Sequence, residues 1–307
     1  MSATRTLRLG TRASKLARWQ ADWVATQLRQ LGHTVEIVEI TTSGDTHQLG
    51  PVADIGAPGV FTKEIQRAVL AGEADLAVHS LKDLPTDAVA GLRLAAVPPR
   101  ESPADVFLAR SVGLLDDLPS GSRVGTGSLR RQAQLRHVRR DLQIETIRGN
   151  VDTRIRKLDD GEFDAIVLAE AGLKRLGLAA RITQVLPFDV MLPAVGQGAL
   201  GIECRGDDTA TVAILKSIDD LETHAAVCAE RSLLAQLRGG CLAPIGALGR
   251  IENGRLQLAA VVLSPDGALR LTASDTAPTS DALQLGGRVA DVLLAQGAAE
   301  LIALART

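Results

Sequence analysis

At 307 residues, 46% of them hydrophobic and 23% charged, the chain has the make-up of a folded globular protein and not of a disordered one. Lys+Arg 34 against Asp+Glu 36 leaves a net charge of -2, so no global field invites nucleic acid or an anionic membrane, and any basic function must be local. The length leaves room for two or three domains of roughly 100–200 residues each.

Residues 7–10 read as a short buried strand, followed by a helix in which Leu16, Trp19, Trp23, Gln27 and Leu31 recur at helical spacing. A second strand covers 35–40. The stretch 43–60 has no period and is rich in glycine and proline, which predicts a mobile flap. A helix at 63–70, a strand at 75–79 and a strand at 92–97 ending at Pro98-Pro99 complete an alternation that predicts an α/β layer with parallel strands.

From Arg123 the pattern restarts: a strand at Val124, Gly125-Thr126-Gly127-Ser128, a helix to 140, a strand at 143–147, a helix at 151–158 and a strand at 165–168. Two fragments mark a repeat. Gly10-Thr11 parallels Gly125-Thr126, and Gly72-Glu73-Ala74-Asp75 parallels Gly161-Glu162-Phe163-Asp164. A third region carries a helix at 221–237, strands at 256–263 and 268–273 around the Ser264-Pro265-Asp266-Gly267 turn, and one closing helix at 283–304. The expectation is two similar α/β domains with a cleft between them and a smaller α+β domain.

Cys204, Cys228 and Cys241 are odd in number and widely spaced, which fits reduced thiols. No apolar signal core or membrane-length run is visible, so a cytoplasmic protein is expected. Histidines and cysteines show no pair at metal-ligand spacing, and no metal is expected.

The most informative segment is 123–156, with nine arginines against Asp141, Glu145 and Asp152. Ser128 is placed to cap a helix, which sets Arg130 and Arg131 in its first turn, where the helix dipole disfavours cations. That conflict points to a bound anion. Arg130, Arg131, Arg148 and Arg154, each near a glycine-containing turn or a helix start, are read as its ligands, because the guanidinium fork suits carboxylate or phosphate. Arg136, Arg139 and Arg140 are read as a solvated helix face. Lys82 and Asp83, just after the strand at 75–79, stand where open α/β sheets display functional groups, although a surface ion pair is the alternative. His79 is read as a satisfied core residue. Cys241 sits in a Gly239-Gly240-Cys241-Leu242-Ala243-Pro244 loop and is the most accessible thiol by context, with no neighbour that argues for an activated thiolate.

Several strings together resemble one family: Thr11-Arg12-Ala13-Ser14-Lys15-Leu16-Ala17, His79-Ser80-Leu81-Lys82-Asp83-Leu84-Pro85, Gly125-Thr126-Gly127-Ser128-Leu129-Arg130-Arg131-Gln132, Arg148-Gly149-Asn150-Val151, Leu192-Pro193-Ala194-Val195-Gly196-Gln197-Gly198, and Glu230-Arg231 with Gly239-Gly240-Cys241. In order and over nearly the whole length, the chain resembles the porphobilinogen deaminase (hydroxymethylbilane synthase) family. The resemblance implies two domains shaped like periplasmic binding proteins around a central cleft, plus a third. Domain 1 would be 1–98 with 199–216, domain 2 would be 104–192, and domain 3 would be 221–307. The return segment at 199–216 comes from the resemblance alone.

It further implies an enzyme that condenses four porphobilinogen molecules head to tail, releasing ammonia, on a dipyrromethane primer held by a thioether to Cys241. Asp83 matches the catalytic aspartate, which would contact pyrrole N–H groups and manage protons. Lys82, Ser128, Arg130, Arg131 and Arg154 match primer-binding positions, and Arg12, Ser14, Arg148, Arg154 and Arg175 match substrate-binding positions. A monomer without metal, nucleotide, nucleic acid or membrane partner is implied. Pro58 and Asp54 stand where flap lysines are common, and Gly127 replaces a frequent serine. The rival reading is a non-catalytic anion receptor, which the third domain, Asp83 and Cys241 disfavour. A nucleic-acid module is weaker still, with four Phe, two Trp and no Tyr to stack bases.

Overall fold

The computed structural model describes residues 5–42, 62–240 and 243–306. The expected flap at 43–60 and Cys241 lie outside the described residues. The chain divides into two compact units, Met1–Arg100 with Ala199–His224, and Glu101–Gly198 with Ala225–Thr307.

In the first unit β1 (Thr6–Thr11), α1 (Lys15–Gln30), β2 (Thr34–Glu39), α2 (Lys63–Leu70), β3 (Leu76–Ser80) and β4 (Leu92–Ala96) follow in sequence. The second unit supplies the next elements, β5 (Asp105–Ala109), β6 (Arg123–Gly125), α3 (Leu129–Val138), β7 (Gln143–Glu145), α4 (Val151–Asp159), β8 (Ala165–Ala169), α5 (Glu170–Arg175) and β9 (Gln184–Val185). The chain then returns to the first unit with β10 (Leu200–Arg205) and α6 (Thr209–Leu215).

The first sheet runs β2-β1-β3-β10-β4. Its first three strands are parallel, but β10 is antiparallel to both β3 and β4, so the expected all-parallel layer is a mixed sheet. The cause is topological: β10 arrives from the second unit at the end of the sheet where β3 finishes, so it must run against β3. Strands β3 and β10 are buried almost throughout, as central strands covered on both faces should be.

Helix α1 buries a face rotated from the one expected, with Trp23 of the expected row packed half-buried at its edge. Gln20, Ala21, Val24, Ala25 and Leu28 turn inward, while Trp19 and Leu31 are 37% and 49% exposed. Alanines at 21 and 25 let the helix lie close to the sheet, and a tryptophan in that row would hold it off. Leu28, Val24, Leu7, Leu9, Leu76 and Ile202 share one core. Truncating Leu28 to alanine there would cost about 2–5 kcal/mol.

The second sheet, β7-β6-β8-β5-β9, repeats the order of the first position by position, with β6 parallel to β7 and β8, and β5 antiparallel to β8 and β9. Strands β5 and β9 have no counterpart in the sequence reading. The repeat extends to single bonds. Asp75 accepts from the Arg8 backbone N–H at 2.8 Å, and Asp164 accepts from the Arg123 backbone N–H at 2.8 Å. Gly72 and Gly161, three residues before each aspartate, both adopt positive φ (+74° and +80°).

The chain passes back to the second unit within α7 (Leu221–Gln236), and the rest of that unit holds the antiparallel sheet of β11 (Ile245–Glu252), β12 (Arg255–Leu263) and β13 (Arg270–Ala277), then α8 (Ala282–Ala295) and α9 (Ala298–Leu304). The single closing helix expected at 283–304 is two, broken at Gly297, whose φ of +97° no right-handed helix accommodates. One apolar core joins α7, α8 and α9 to the sheet through Leu233, Leu258, Leu285, Val289, Leu293 and Ile302. The fold is thus mixed α/β with two five-stranded sheets and a smaller α+β part at the C-terminal end.

Candidate active site

Strands β1 and β3 are parallel neighbours, so the chain leaves both at the same end of the first sheet. After β1 it passes Arg12 and reaches Ser14, whose hydroxyl caps α1 by accepting from the Ala17 N–H at 3.3 Å. After β3, Leu81–Asp83 form one turn of 3-10 helix. A small pocket of about 70 Å³ lies between these ends, and Arg12, Ser14, Gln20, His79, Ser80 and Asp83 line it. Three of the residues expected at the site, Arg12, Ser14 and Asp83, therefore meet. Lys82 shares the turn with Asp83 but not the pocket wall.

Gln20 and Ser80 were missed from sequence. Gln20 Nε2 donates to Ser80 Oγ at 2.8 Å, which ties α1 to the end of β3. A buried glutamine on an otherwise apolar helix face is the signal that could have found it. His79 is buried as expected, but it also faces the pocket. Its Nε2 approaches a buried carboxylate oxygen of Glu203 to 3.1 Å without hydrogen-bond alignment, and Gln66 Nε2 donates to the same carboxylate at 2.9 Å.

In the second unit Ser128 caps α3, accepting from the Arg131 N–H at 3.5 Å, and Arg130 and Arg131 do stand in the first turn. The anion that their position demands is supplied by the chain itself. Arg131 Nε and Nη2 donate to Asp105 Oδ1 at 2.9 and 2.7 Å, and Arg130 Nη1 donates to Oδ2 at 2.6 Å. Asp105 is fully buried (0% exposed). Burial alone would raise its pKa, but the two guanidinium charges and their hydrogen bonds overcome this and hold the carboxyl far below its ordinary range. Gln197 Nε2 donates to Oδ1 at 2.9 Å, and Leu192 and Val167 carbonyls accept from Arg130 and Arg131. One carboxylate thus serves two cations, and Arg130 Nε is buried with no hydrogen-bond partner among the described residues.

Arg148-Gly149-Asn150 form the turn into α4, where Asn150 accepts from the Thr153 N–H at 3.0 Å. Gly149 has φ +106°, and Arg154, one turn into the helix, donates to its carbonyl at 2.8 Å. No carboxylate pairs with Arg154 among the described residues. Burial, and then the like charge of Arg131, push the Arg154 pKa down to about 10. Arg175 on α5 donates to the Gly198 carbonyl at 2.6 Å, and burial lowers its pKa to about 10 against the pull of Glu101. Burial that lowers a guanidinium pKa disfavours its charge, which an arriving anion would relieve; Arg175 is buried and Arg154 half-buried. These guanidinium groups fit an acidic ligand such as a primer carrying acetate and propionate side chains.

Two of the arginines read as a solvated face are structural. Arg136 donates to the Pro265 carbonyl at 2.8 Å, and Arg139 donates to the Leu115 and Leu118 carbonyls at 2.7 Å and to Asp141. Arg140 is exposed as expected. Ahead of Cys241, α7 ends and the backbone turns through left-handed Arg238 (φ +50°) and Gly240 (φ +60°).

Residues 7–213 match the family model described as "Porphobilinogen deaminase, dipyromethane cofactor binding domain", and residues 224–295 match its C-terminal domain. The chain belongs to the porphobilinogen deaminase family. A protein named porphobilinogen deaminase from Desulforudis audaxviator is 52% identical over 300 residues, covering 97% of each chain. Its namesake from Pelotomaculum thermopropionicum is 49% identical over 304 residues, covering 98% of this chain and 97% of that one. Among solved structures, the methionine binding protein MetQ overlaps 71% of this chain and 92% of its own at a TM-score of 0.45 and 16% identity, too partial a likeness to bear on function.

Proposed function

We propose that the chain is a hydroxymethylbilane synthase, a transferase that condenses four porphobilinogen molecules on a dipyrromethane primer thioether-linked to Cys241, releasing ammonia and a linear tetrapyrrole for tetrapyrrole synthesis. Family membership over nearly the whole length supports the reaction. The observation that carries the site assignment is the separation of charge: one half-buried carboxylate, Asp83, in a pocket with Arg12 and Ser14, and a surplus of guanidinium groups over carboxylates in the second unit, where Arg130 and Arg131 share Asp105.

The primer, when bound, would supply the ring to which the first unit is joined, each later unit being added to the ring before it. Asp83 is the group that holds and moves the proton: its carboxylate accepts from a pyrrole N–H of the substrate and offsets the positive charge that develops there when the amine departs. Arg12 and Ser14 position the substrate's carboxylates in the same pocket. Lys82, Ser128, Arg130, Arg131 and Arg154 hold the primer's carboxylates, and Arg148, Arg154 and Arg175 take those of the added rings. Three domains, 1–98 with 199–216, 104–192 and 221–307, carry these roles in a cytoplasmic monomer. No described helix is long and apolar enough to cross a membrane.

The test is incubation with porphobilinogen. Ammonia and a linear tetrapyrrole should appear, and the intact protein should weigh more than its sequence by one dipyrromethane. Absence of both products from a primer-loaded chain ends the proposal, and stable primer on Cys241→Ala removes the attachment site.

A further inference from the structure

The two sheets can be overlaid by register. Asp105 opens β5 opposite Ala169 at the end of β8, as Leu200 opens β10 opposite Ser80 at the end of β3. Counting from the capping serines, Arg130 and Arg131 correspond to Leu16 and Ala17, since Ser128 accepts from the N–H three residues on, as Ser14 does. The buried triad Asp105, Arg130 and Arg131 thus occupies positions that the first sheet fills with Leu200, Leu16 and Ala17. The architecture does not require ions there.

A buried triad of this kind gains little stability over apolar side chains, so its presence calls for another reason. Asp105 touches no exposed surface and cannot meet a ligand itself. Its surroundings are built to keep it still. Gln197 donates to it from the 194–198 segment, while the Gly196 N–H donates to Glu230 at 2.7 Å and Glu230 also accepts from the Gly249 N–H at 2.8 Å. Gly198 admits no side chain, because a Cβ would collide with the Glu101 carbonyl, and its own carbonyl accepts from Arg175.

We propose that Asp105 is the positioning residue of the guanidinium pair: its two oxygens fix Arg130 and Arg131 in one arrangement and cancel only one of their two charges, leaving the other for a ligand carboxylate. The inference rests on the reading that these arginines hold the primer. Two effects with opposite signs make it testable. If Asp105 merely dilutes the positive field, removing its charge strengthens the hold on an anionic primer. If it positions the forks, removing it weakens that hold.

The experiment uses the full chain purified without primer from a host that makes no porphobilinogen, then given porphobilinogen and followed by intact mass well below its unfolding transition. Asp105→Asn that folds, by circular dichroism, should fill with primer at least about tenfold more slowly than wild type, the order expected when forks lose alignment. Asp105→Glu should lie between the two. A folded Asp105→Asn that fills as fast as wild type, or faster, overturns the proposal, since a purely structural role moves the unfolding temperature and not the filling rate. Should the Asn variant not fold, Asp105→Glu decides: slowed filling supports positioning, and wild-type filling refutes it. A wild-type chain that never gains primer mass shows instead that the underlying reading has failed, without any variant.

Discussion

The two five-stranded sheets share a strand order and paired Arg–Asp backbone clamps, yet they handle a carboxylate in opposite ways. The first leaves Asp83 half-buried in a pocket, beside cations but not enclosed by them. The second buries Asp105 between two guanidinium groups and lets cations remain in excess. A carboxylate that must exchange protons needs solvent and substrate access, whereas one that orders neighbours needs neither. Under the proposed function, the same scaffold would serve proton handling in one copy and anion holding in the other, by placing the acid on the turn after the third strand of the sheet or on the buried start of the fourth.

The widest break in this comparison would come from making the second sheet resemble the first. The triple variant Asp105→Leu, Arg130→Leu, Arg131→Ala should fold with stability equal to wild type or higher by up to about 4 kcal/mol, and should acquire no primer and hence show no turnover. Asp105→Leu alone, which strands two buried guanidinium groups, should instead cost about 3–5 kcal/mol. Chemical denaturation separates the two. Primer and turnover intact in the triple variant would remove the anion-holding role from this sheet.

In the first sheet, Asp83→Asn should fold, take up primer and lose turnover by roughly 10²–10⁴-fold, the usual scale of a general acid–base group. Wild-type kinetics would return Asp83 to the surface-pair reading. The contrast with Asp105→Leu is in kind: one variant loses rate without stability, the other loses stability first.

How much of this was visible in the sequence depended on distance along the chain. Asp83 directly follows a strand whose apolar run is plain, so its place at a strand end was legible, whereas Arg12 and Ser14 entered only through the family resemblance and their meeting with Asp83 needed the parallel pairing of β1 and β3. The strain of Arg130 and Arg131 in a first helical turn was legible too, but its resolution was not, because Asp105 lies 25 and 26 residues away and meets them only when β5 enters the sheet. Likewise β10 joins β3 across more than a hundred residues, and nothing local marks it as antiparallel. Helix α1 was read one row off: Trp23 does pack against the core, but Trp19 and Leu31 do not, and the alanines decide which face lies closest to the sheet. Arg136 and Arg139 were misread because a guanidinium that ends on backbone carbonyls looks, in sequence, like any solvated cation.

A smaller effect should sharpen the second sheet's role. Arg154 is held in a setting that disfavours its charge, with burial and then Arg131 lowering its pKa to about 10. Arg154→Gln should therefore leave unfolding stability unchanged or slightly raised, while primer filling or elongation slows by roughly tenfold for one lost charge-assisted contact. A clear loss of stability with normal filling would recast Arg154 as structural.

The smallest expected effect separates folding electrostatics from function in the first unit. Asp208 caps α6, accepting from the Thr211 N–H at 3.0 Å, and also pairs with Arg5 at 3.0 Å. Burial would raise its pKa, but these hydrogen bonds and the Arg5 charge bring it down to about 2. Its folded pKa lies below its unfolded value, so its contribution is complete above about pH 4 and vanishes as pH falls toward about 2. Asp208→Asn should then lower stability by about 1 kcal/mol at neutral pH, and the two stability curves should converge at acid pH. Turnover should not change, because neither Asp208 nor Arg5 lines the pocket that holds Asp83. A gap that persists to low pH would assign the effect to geometry and not to charge, and a fall in turnover would mean that this end of the sheet reaches the site after all.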